Sequence, residues 1–301
     1  MPVGMQNFEY VKPLDLSTAV ALLAEKNGKA RAMAGGTDLL VQLRAERFSL
    51  ERVVDIKAIP ELNELRFDAK GGLTIGAAVP CYRIYGDRDV MARYPAIVDA
   101  ASIVGGVGIQ GRATIGGNLC NASPSGDTIP ALIVLGAQAV VMGPQGERTI
   151  PVEQFCIAPG TTLLKPGELL VSVRVPAPEA RSGAHYLRFI PRNEMDIAVA
   201  GAAAWVTLAK DGKLIADARL ALASVAPTPL YVDAARGGLV GTDGSDEALE
   251  AAAEAARLAV RPITDMRGTE KQRRHLAGVL AKRALRGALA RARGEQYASA
   301  H

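Results

Sequence analysis

The residue types that point most directly to chemistry in this 301-residue chain stand beside two pairs of adjacent glycines. One pair, Gly116-Gly117, follows Thr114 and Ile115 and precedes a polar loop that begins at Asn118. Glycine permits tight turns and lets the backbone come close to a ligand. We therefore predict that Thr114 and Ile115 end a strand, that the glycines turn the chain, and that the polar groups after them line a binding site.

A helix is predicted after this loop. Asp127 or Thr128 is its expected N-cap, and Pro130 falls in its first turn, where a missing N–H group is tolerated. The free N–H groups at a helix start and the positive end of the helix dipole favour anions. The pattern therefore indicates a phosphate or diphosphate site.

Residues 30–44 repeat this pattern with a short strand, Gly35-Gly36, Thr37 as the predicted helix cap, and Asp38 opening the helix. Two such loops fit one diphosphate. Neither is a GxGxxG fingerprint or a GxxxxGK[ST] loop, because the third glycine of the first and the lysine of the second are missing. Taken alone, each glycine pair is more typical of an ordinary strand-to-helix turn that binds no ligand.

No catalytic residue is predicted. His185, His275 and His301 stand in no arrangement with a serine or cysteine that would form a nucleophile and its base. The glycine segments carry no paired carboxylates for acid–base work. If the chain supplies binding groups but no reactive side chains, the chemistry belongs to a cofactor. The protein then positions this cofactor and adjusts its reactivity.

Composition argues against several further classes of protein and of binding site. The three cysteines show no CxxC spacing, so we expect no zinc or iron–sulfur centre, and their sparse, odd number favours a reducing, cytoplasmic compartment. We predict no secretory signal and no membrane span, since the longest apolar run, 129–142, falls short of the roughly 20 residues required. The net charge of +4 is mild and aromatics are scarce at 4%, so nucleic-acid binding is not expected.

The order of predicted elements divides the chain into three parts. Residues 1–57 read as a β-α-β-α-β unit, and residues 58–176 as a strand-rich unit in which 82–94 is one helical stretch. A proline-rich linker, 176–183, precedes the last part, 184–293. There we predict a strand over 184–189, a helix over 196–209, a strand over 214–225, and two final helices over 247–260 and 268–293.

Several segments together resemble one protein family. AGGTDLL at 34–40 and TIGGNLCNASPSGD at 114–127 are similar to segments of the flavoprotein subunit or domain of the molybdenum hydroxylases, the xanthine dehydrogenase and carbon monoxide dehydrogenase family. Further similar segments are LKPGELLVSVRVP at 164–176, RFIPRNEMDIAVAGAA at 188–203 and TDMRGTEKQRRHLAGVLAKRAL at 264–285. The resemblance covers nearly the whole chain.

The resemblance implies an α+β fold of the FAD-binding PCMH type, which is vanillyl-alcohol-oxidase-like. FAD would lie between two α/β subdomains, 1–57 and 58–176, with a C-terminal α+β domain beside them. The cofactor-binding residues that it implies are Ala32, Met33, Ala34, Gly35, Gly36, Thr37, Asp38, Leu39, Val104, Gly105, Thr114, Ile115, Gly116, Gly117, Asn118, Asp127, Leu170 and Arg188. No metal ligand is implied.

The same resemblance implies roles for some of these residues. Backbone amides of 32–39 and 114–118, with the Thr37 and Thr114 hydroxyls, would hold the diphosphate. Asp127 would bind ribityl or ribose hydroxyls. Leu170 would contact the flavin ring, and Arg188 would place a cation near it to stabilise the anionic reduced form.

Some assignments stay open. Arg188 is also compatible with a surface salt bridge, and a structural role is preferred for Arg192, Asp196, Asp265 and Arg267. The approach segment 104–114 is richer in glycine than is common in relatives, which puts contacts before Thr114 in doubt.

The resemblance implies the FAD-binding medium subunit of a molybdenum hydroxylase. Its partners would be a large molybdopterin subunit and a small subunit with two [2Fe–2S] clusters, in a dimer of heterotrimers. Electrons would pass from the nearer cluster through FAD to NAD⁺ or another acceptor. Two alternatives remain: a scaffold or assembly protein without redox work, and a stand-alone flavin oxidoreductase.

Overall fold

The first sheet is parallel and three-stranded. The computed structural model describes residues 6–192 and 194–297. Parallel strands need crossover connections, and here two short helices supply them between strands in the order β1-β3-β2. The elements are β1 (Glu9–Val11), α1 (Leu16–Ala24), β2 (Ala30–Met33), α2 (Leu39–Arg44) and β3 (Arg52–Asp55). The predicted β-α-β-α-β order is therefore confirmed.

The second sheet is antiparallel and five-stranded, in the order β4-β5-β10-β6-β7. Its strands are β4 (Leu65–Asp68), β5 (Gly72–Gly76), β6 (Gln138–Gly143), β7 (Gly146–Pro151) and β10 (Leu169–Val175). A 3₁₀ turn, Pro60–Asn63, precedes it, and a small hairpin of β8 (Cys156–Ala158) and β9 (Thr161–Thr162) follows β7 and the short helix α9 (Val152–Phe155).

Six helices connect β5 to β6: α3 (Cys81–Tyr85), α4 (Arg88–Arg93), α5 (Pro95–Ala101), α6 (Val107–Gln110), α7 (Ile115–Asn121) and α8 (Thr128–Val134). The prediction of one helical stretch over 82–94 was wrong. Asp87 ends it, because its side chain caps a new helix by accepting hydrogen bonds from the N–H groups of Asp89 and Val90.

The third sheet is antiparallel and carries its helices on one side. Its strands follow chain order: β11 (Ser182–Phe189), β12 (Ala200–Leu208), β13 (Ile215–Ala223) and β14 (Leu230–Tyr231). The helices are α10 (Ala234–Gly237), α11 (Asp246–Ala259) and α12 (Glu270–Ala292). None of the helices in the described part of the chain is long and apolar enough to cross a bilayer.

The helix predicted over 196–209 was wrong, since this alanine-rich segment forms β12 in the middle of the sheet. Ala202 and Ala204 pack into the core with α11 and α12. Ala203, on the opposite face, packs into the core of the preceding sheets. A strand covered on both faces by other elements favours small side chains, and here that packing outweighs the helical propensity of alanine.

A buried polar network joins the third sheet to the rest of the chain. Asp99 on α5 accepts hydrogen bonds from both terminal nitrogens of Arg291 on α12, at 2.6 and 3.0 Å. The same carboxylate lies 2.9 Å from Nδ1 of His185 and accepts from the backbone N–H of Tyr186. Because Asp99 is only 6% exposed, this ion pair sits where water competes little with it.

We expect Asp99→Asn to lower the free energy of unfolding by about 3 kcal/mol, because it leaves the Arg291 charge uncompensated in a buried place. Asp89→Asn is the matched control, since Asp89 forms an ion pair with Arg93 on the surface, and loss of such a pair changes stability by roughly 0.5 kcal/mol. Chemical denaturation measures both variants. Equal losses in the two would contradict the importance given to the buried network.

Candidate functional site

A cavity of about 670 Å³ lies where the first two sheets and the edge of the third meet. Most of its wall comes from four parts of the chain: β2 with its connection to α2, the region from Val104 to the start of α8, the segment from Gly160 to the start of β10, and the end of β11 with the loop after it. Cavities that bind small molecules and cofactors commonly have this size.

All the predicted site residues except Ile115 line this cavity. Ile115 is 1% exposed and packs into the apolar core, because as the first residue of α7 its side chain points away from the cavity. The segments 32–39 and 114–118, far apart in sequence, therefore share one cavity. Which of their atoms contact a cofactor stays a prediction.

The first glycine segment leaves β2 and enters α2 within five residues. Gly36 has φ +76°, a left-handed conformation that favours glycine. The predicted cap was wrong in detail, since Asp38 occupies the N-cap position and its side chain makes no capping hydrogen bond. Asp38 and Thr37 both line the cavity instead, and desolvation raises the pKa of Asp38.

The second glycine segment begins a helix rather than turning the chain after a strand, so the predicted strand end was wrong. Thr114 is the N-cap of α7, and its Oγ1 accepts a hydrogen bond from Gly117 N–H at 2.8 Å. Gly116 and Gly117 thus lie in the first helical turn. A Cβ at Gly116 would lie 2.5 Å from the carbonyl oxygen of Ala77, so only glycine lets the helix pack on that backbone.

The first glycine segment touches the backbone that leads into the second. A Cβ at Gly35 would lie 2.0 Å from the carbonyl oxygen of Arg112. Near this contact, the backbone N–H groups of Gly35, Gly36, Thr37 and Gly116 donate to no described residue. All four residues line the cavity, and unpaired backbone N–H donors suit phosphate oxygens.

Asp127 sits at the N-cap position of α8 but does not cap it, which corrects the prediction. Its carboxylate accepts hydrogen bonds from Tyr186 Oη at 2.8 Å and from a terminal nitrogen of Arg188 at 2.5 Å. The other terminal nitrogen of Arg188 donates to the carbonyl oxygen of Ile103 at 2.7 Å. The Arg188 side chain is 7% exposed, so its ion pair is buried at the cavity wall rather than on the surface.

Burial raises the pKa of Asp127 to about 6, against the opposing effects of the Arg188 charge and the Tyr186 hydrogen bond. The Asp127 charge in turn helps burial to raise the pKa of Tyr186 well above 10. Tyr186 therefore stays a hydrogen-bond donor to Asp127.

Sequence reasoning missed several cavity residues. No site residue was predicted in the turn from Leu164 to Leu169, and only the return of β10 to the middle of its sheet brings this turn to the cavity. Arg31 was hidden within a strand. Asp196, for which a structural role was preferred, forms an ion pair with Arg192 at 3.2 Å, but it also lines the cavity with its neighbours Met195 and Ile197.

Within residues 6–192 and 194–297, no three histidine, cysteine, aspartate or glutamate side chains are grouped so that they could hold a metal ion. The cavity combines backbone donors, a buried cation and apolar wall residues such as Leu170 and Val104. This arrangement can bind an elongated anionic molecule with an apolar part, and it fits a dinucleotide cofactor.

Substituting alanine for Gly35 should lower the free energy of unfolding by about 2 kcal/mol or more, because the added Cβ overlaps the Arg112 carbonyl and forces the two segments apart. Gly108→Ala is the control: its Cβ would have no neighbour within 4 Å, and alanine in helix α6 should be neutral or slightly stabilising. Thermal and denaturant unfolding measure both. A neutral Gly35→Ala would show that the segments need not touch.

The raised pKa of Asp127 predicts a pH dependence. A carboxyl whose pKa is higher in the folded chain than in the unfolded chain stabilises the fold when protonated, and this contribution is lost as pH rises through about 6. Relative to Asp127→Asn, the free energy of unfolding of the wild-type chain without any ligand should fall by about 2 to 3 kcal/mol between pH 4 and pH 7. Urea unfolding across this range measures it, and a constant difference would refute the raised pKa.

Two family models match the chain. The model described as the FAD-binding domain in molybdopterin dehydrogenase matches residues 6–178, and that of the CO dehydrogenase flavoprotein C-terminal domain matches residues 185–288. The predicted domain bounds, 1–57, 58–176 and 184–293, stay a prediction.

Curated relatives cover almost the whole chain. The carbon monoxide dehydrogenase medium chain of Hydrogenophaga pseudoflava is 35% identical over 94% of this chain and 98% of its own length. The xanthine dehydrogenase FAD-binding subunit of Escherichia coli O157:H7 is 31% identical over 95% of this chain and 97% of its own length.

Solved structures of similar proteins match the fold of this chain over nearly its whole length. A structure of carbon monoxide dehydrogenase from Hydrogenophaga pseudoflava matches with a TM-score of 0.90 and 35% identity, over 95% of this chain and 98% of the other. Quinoline 2-oxidoreductase from Pseudomonas putida 86 matches with a TM-score of 0.89 and 28% identity, over 96% and 99%. The predicted fold class is confirmed, as are FAD as cofactor and the class of FAD-dependent oxidoreductase subunits. The chain belongs to the family of FAD-binding medium subunits of the molybdenum hydroxylases.

Proposed function

We propose that this chain binds FAD in the cavity described above and serves as the electron-transfer subunit of a heteromeric molybdenum hydroxylase. It would take electrons from the [2Fe–2S] clusters of a partner subunit and pass them to NAD⁺ or another acceptor. The observation that carries the proposal is the cavity itself. It is lined by the buried Arg188 and by Gly35, Gly36, Thr37 and Gly116, whose backbone N–H groups donate to no described residue.

In this proposal the two glycine segments hold the diphosphate. Backbone N–H groups of both segments would donate to phosphate oxygens, with the start of α7 adding the positive end of its dipole. The Thr114 oxygen already accepts from Gly117, so its own O–H proton is free to be donated. The Thr37 hydroxyl, which also lines the cavity, would do the same from the other side.

The flavin ring would lie at the end of the cavity where Leu170, Val104, Gly105 and Arg188 meet. When bound, FAD supplies the one- and two-electron redox chemistry. Arg188 would stabilise negative charge that develops on the reduced ring. Its position is fixed from both sides, by the Asp127 carboxylate and by the Ile103 carbonyl. Each Asp127 oxygen already accepts one hydrogen bond, from Tyr186 or from Arg188. In the proposal, Asp127 therefore holds Arg188, and the remaining lone pairs of its oxygens would accept from cofactor hydroxyls.

The proposed partners are a large molybdopterin subunit and a small [2Fe–2S] subunit, in a dimer of heterotrimers. Relatives carry names that describe them as medium chains or as subunits of a complex. These names favour a subunit role over a stand-alone flavin oxidoreductase. A cytoplasmic location is proposed because the three cysteines are all free.

The proposal is tested by loading the purified chain with FAD, desalting it, and adding the chemically reduced iron–sulfur subunit under anaerobic conditions. The expected result is retained flavin absorbance that bleaches when the reduced partner is added. Retained flavin that the partner does not reduce would contradict the electron-transfer role. Failure to retain flavin, even when the chain is co-expressed with its partner subunits, would favour a scaffold protein.

Arg188→Gln should lower the midpoint potential of the bound flavin by at least about 30 mV, which for a two-electron couple is a ten-fold change in equilibrium. The reason is that a neutral side chain no longer stabilises the anionic reduced form. Arg188→Lys keeps the charge and should restore most of the potential. Spectroelectrochemical titration measures all three proteins, and an unchanged potential in Arg188→Gln would place the ring elsewhere in the cavity.

A further inference from the structure

The two walls of the proposed diphosphate site touch at a second place besides the Gly35 contact. Gln42 on α2 donates a hydrogen bond from Nε2 to Oδ1 of Asn121, the last residue of α7, at 2.9 Å. Both residues are half-buried and line the cavity. Within the described part of the chain, this is the one hydrogen bond that joins α2 to α7.

The helix α2 is loosely anchored in the fold. Of its six residues only Leu43 is buried, and Val41 is 63% exposed. Leu43 belongs to a small apolar cluster with Met33 and Val53, which is separate from the main core. A short helix with so little buried apolar surface belongs to the part of a protein that opens at low cost.

The helix α7 is anchored firmly. Its residues Ile115 and Leu119 are buried in the main core. Gly116 packs directly on the backbone of Ala77. The helix α7 therefore forms the fixed wall, and a movement that separates the two walls has to be a movement of α2.

The connection before α2 provides a pivot for such a movement. Gly35 lies directly against the carbonyl group of Arg112 and is held there. The next residue, Gly36, has φ +76° and no side chain to restrict its rotation. Beyond the other end of α2, Glu46 also has a positive φ, of 51°. Residues at the ends of an element that absorb changes in backbone angles commonly act as hinges.

The backbone N–H groups proposed to bind the diphosphate belong to the two glycine segments, which run between the Gly35 contact and the Gln42–Asn121 hydrogen bond. FAD carries a bulky ring system on each side of its diphosphate, so it could not be threaded end-on between walls that touch at both places. The Gly35 contact is made of backbone and opens only if a strand moves. A hydrogen bond between two half-buried amides breaks at little net cost, because water replaces the lost partner.

We infer that α2 is a lid over the proposed diphosphate site, that it turns at Gly36, and that the Gln42–Asn121 hydrogen bond is its latch. The latch opens before FAD enters and closes again over the bound cofactor. Because the same hydrogen bond forms with and without FAD, it slows entry and release alike and leaves the affinity unchanged. This inference rests on the proposed FAD site.

The test uses the full chain stripped of flavin. Entry of FAD is followed by flavin fluorescence in stopped flow, and release is followed with an FAD-requiring apoenzyme that becomes active when it captures free FAD. In Gln42→Ala and in Asn121→Ala, both rate constants should rise about five-fold, the effect of losing one net hydrogen bond. The Kd, which is their ratio, should change by less than about two-fold. The double variant should match either single variant, because the two side chains act as one contact.

Asn63→Ala is the matched control. The Asn63 side-chain amide is also half-buried and donates two hydrogen bonds, to the carbonyl oxygens of Lys57 and Ile59, but Asn63 does not line the cavity. This variant should lose stability in thermal unfolding and keep both rate constants for FAD. The same unfolding measurement confirms that Gln42→Ala and Asn121→Ala are folded.

Two results would overturn the inference and leave the FAD site standing. A raised Kd with an unchanged rate of entry would show that Gln42 and Asn121 bind the cofactor rather than close over it. Unchanged rate constants in both variants would show that α2 does not move when FAD enters. A wild-type chain that takes up no FAD would instead refute the proposed site, and the lid with it.

Discussion

The closest approach in the binding region is that of Gly35 to the carbonyl oxygen of Arg112, where a Cβ would lie 2.0 Å away. This contact joins the loop after a parallel strand to the approach of a helix in a different structural unit. Because it is made by backbone, it brings the N–H groups of both segments to one cavity without using a side chain. Gly116 makes the same kind of contact with the backbone of Ala77, where a Cβ would lie 2.5 Å from the carbonyl oxygen. The proposed anion-binding wall of backbone donors requires glycine at both positions, because a side chain at either would collide with the neighbouring backbone.

A second constraint is how the third sheet is attached. It contributes apolar residues such as Tyr186 and Ala203 to the main core, and it makes two buried ionic contacts with the preceding unit, Asp127 with Arg188 and Asp99 with Arg291. Only the first of these lies at the cavity. The C-terminal part of the chain therefore does more than support the fold, because it delivers a fixed cation to the place where the flavin ring is proposed to lie.

The sequence was sufficient for the β-α-β-α-β order and the two final helices, because local turn chemistry and apolar periodicity determine these features. It was insufficient where tertiary packing outweighs local preference. Alanine in 200–208 favours a helix until helices cover both faces of the segment and make it a strand. Asp127 has the sequence context of a cap, yet Tyr186 and Arg188 take both of its oxygens. The position of the turn from Leu164 to Leu169 at the cavity depends on sheet order, which no local pattern reveals.

The central claim is that FAD lies between these two glycine segments, and amide hydrogen exchange of the full chain with and without FAD tests it most directly. The N–H groups of Gly35, Gly36, Thr37 and Gly116, which donate to no described residue, should exchange quickly in the flavin-free chain and slow markedly when FAD binds. The control is the exposed loop around Gly212, which should not change. Protection confined to other parts of the chain, with these four amides unaffected, would contradict the account.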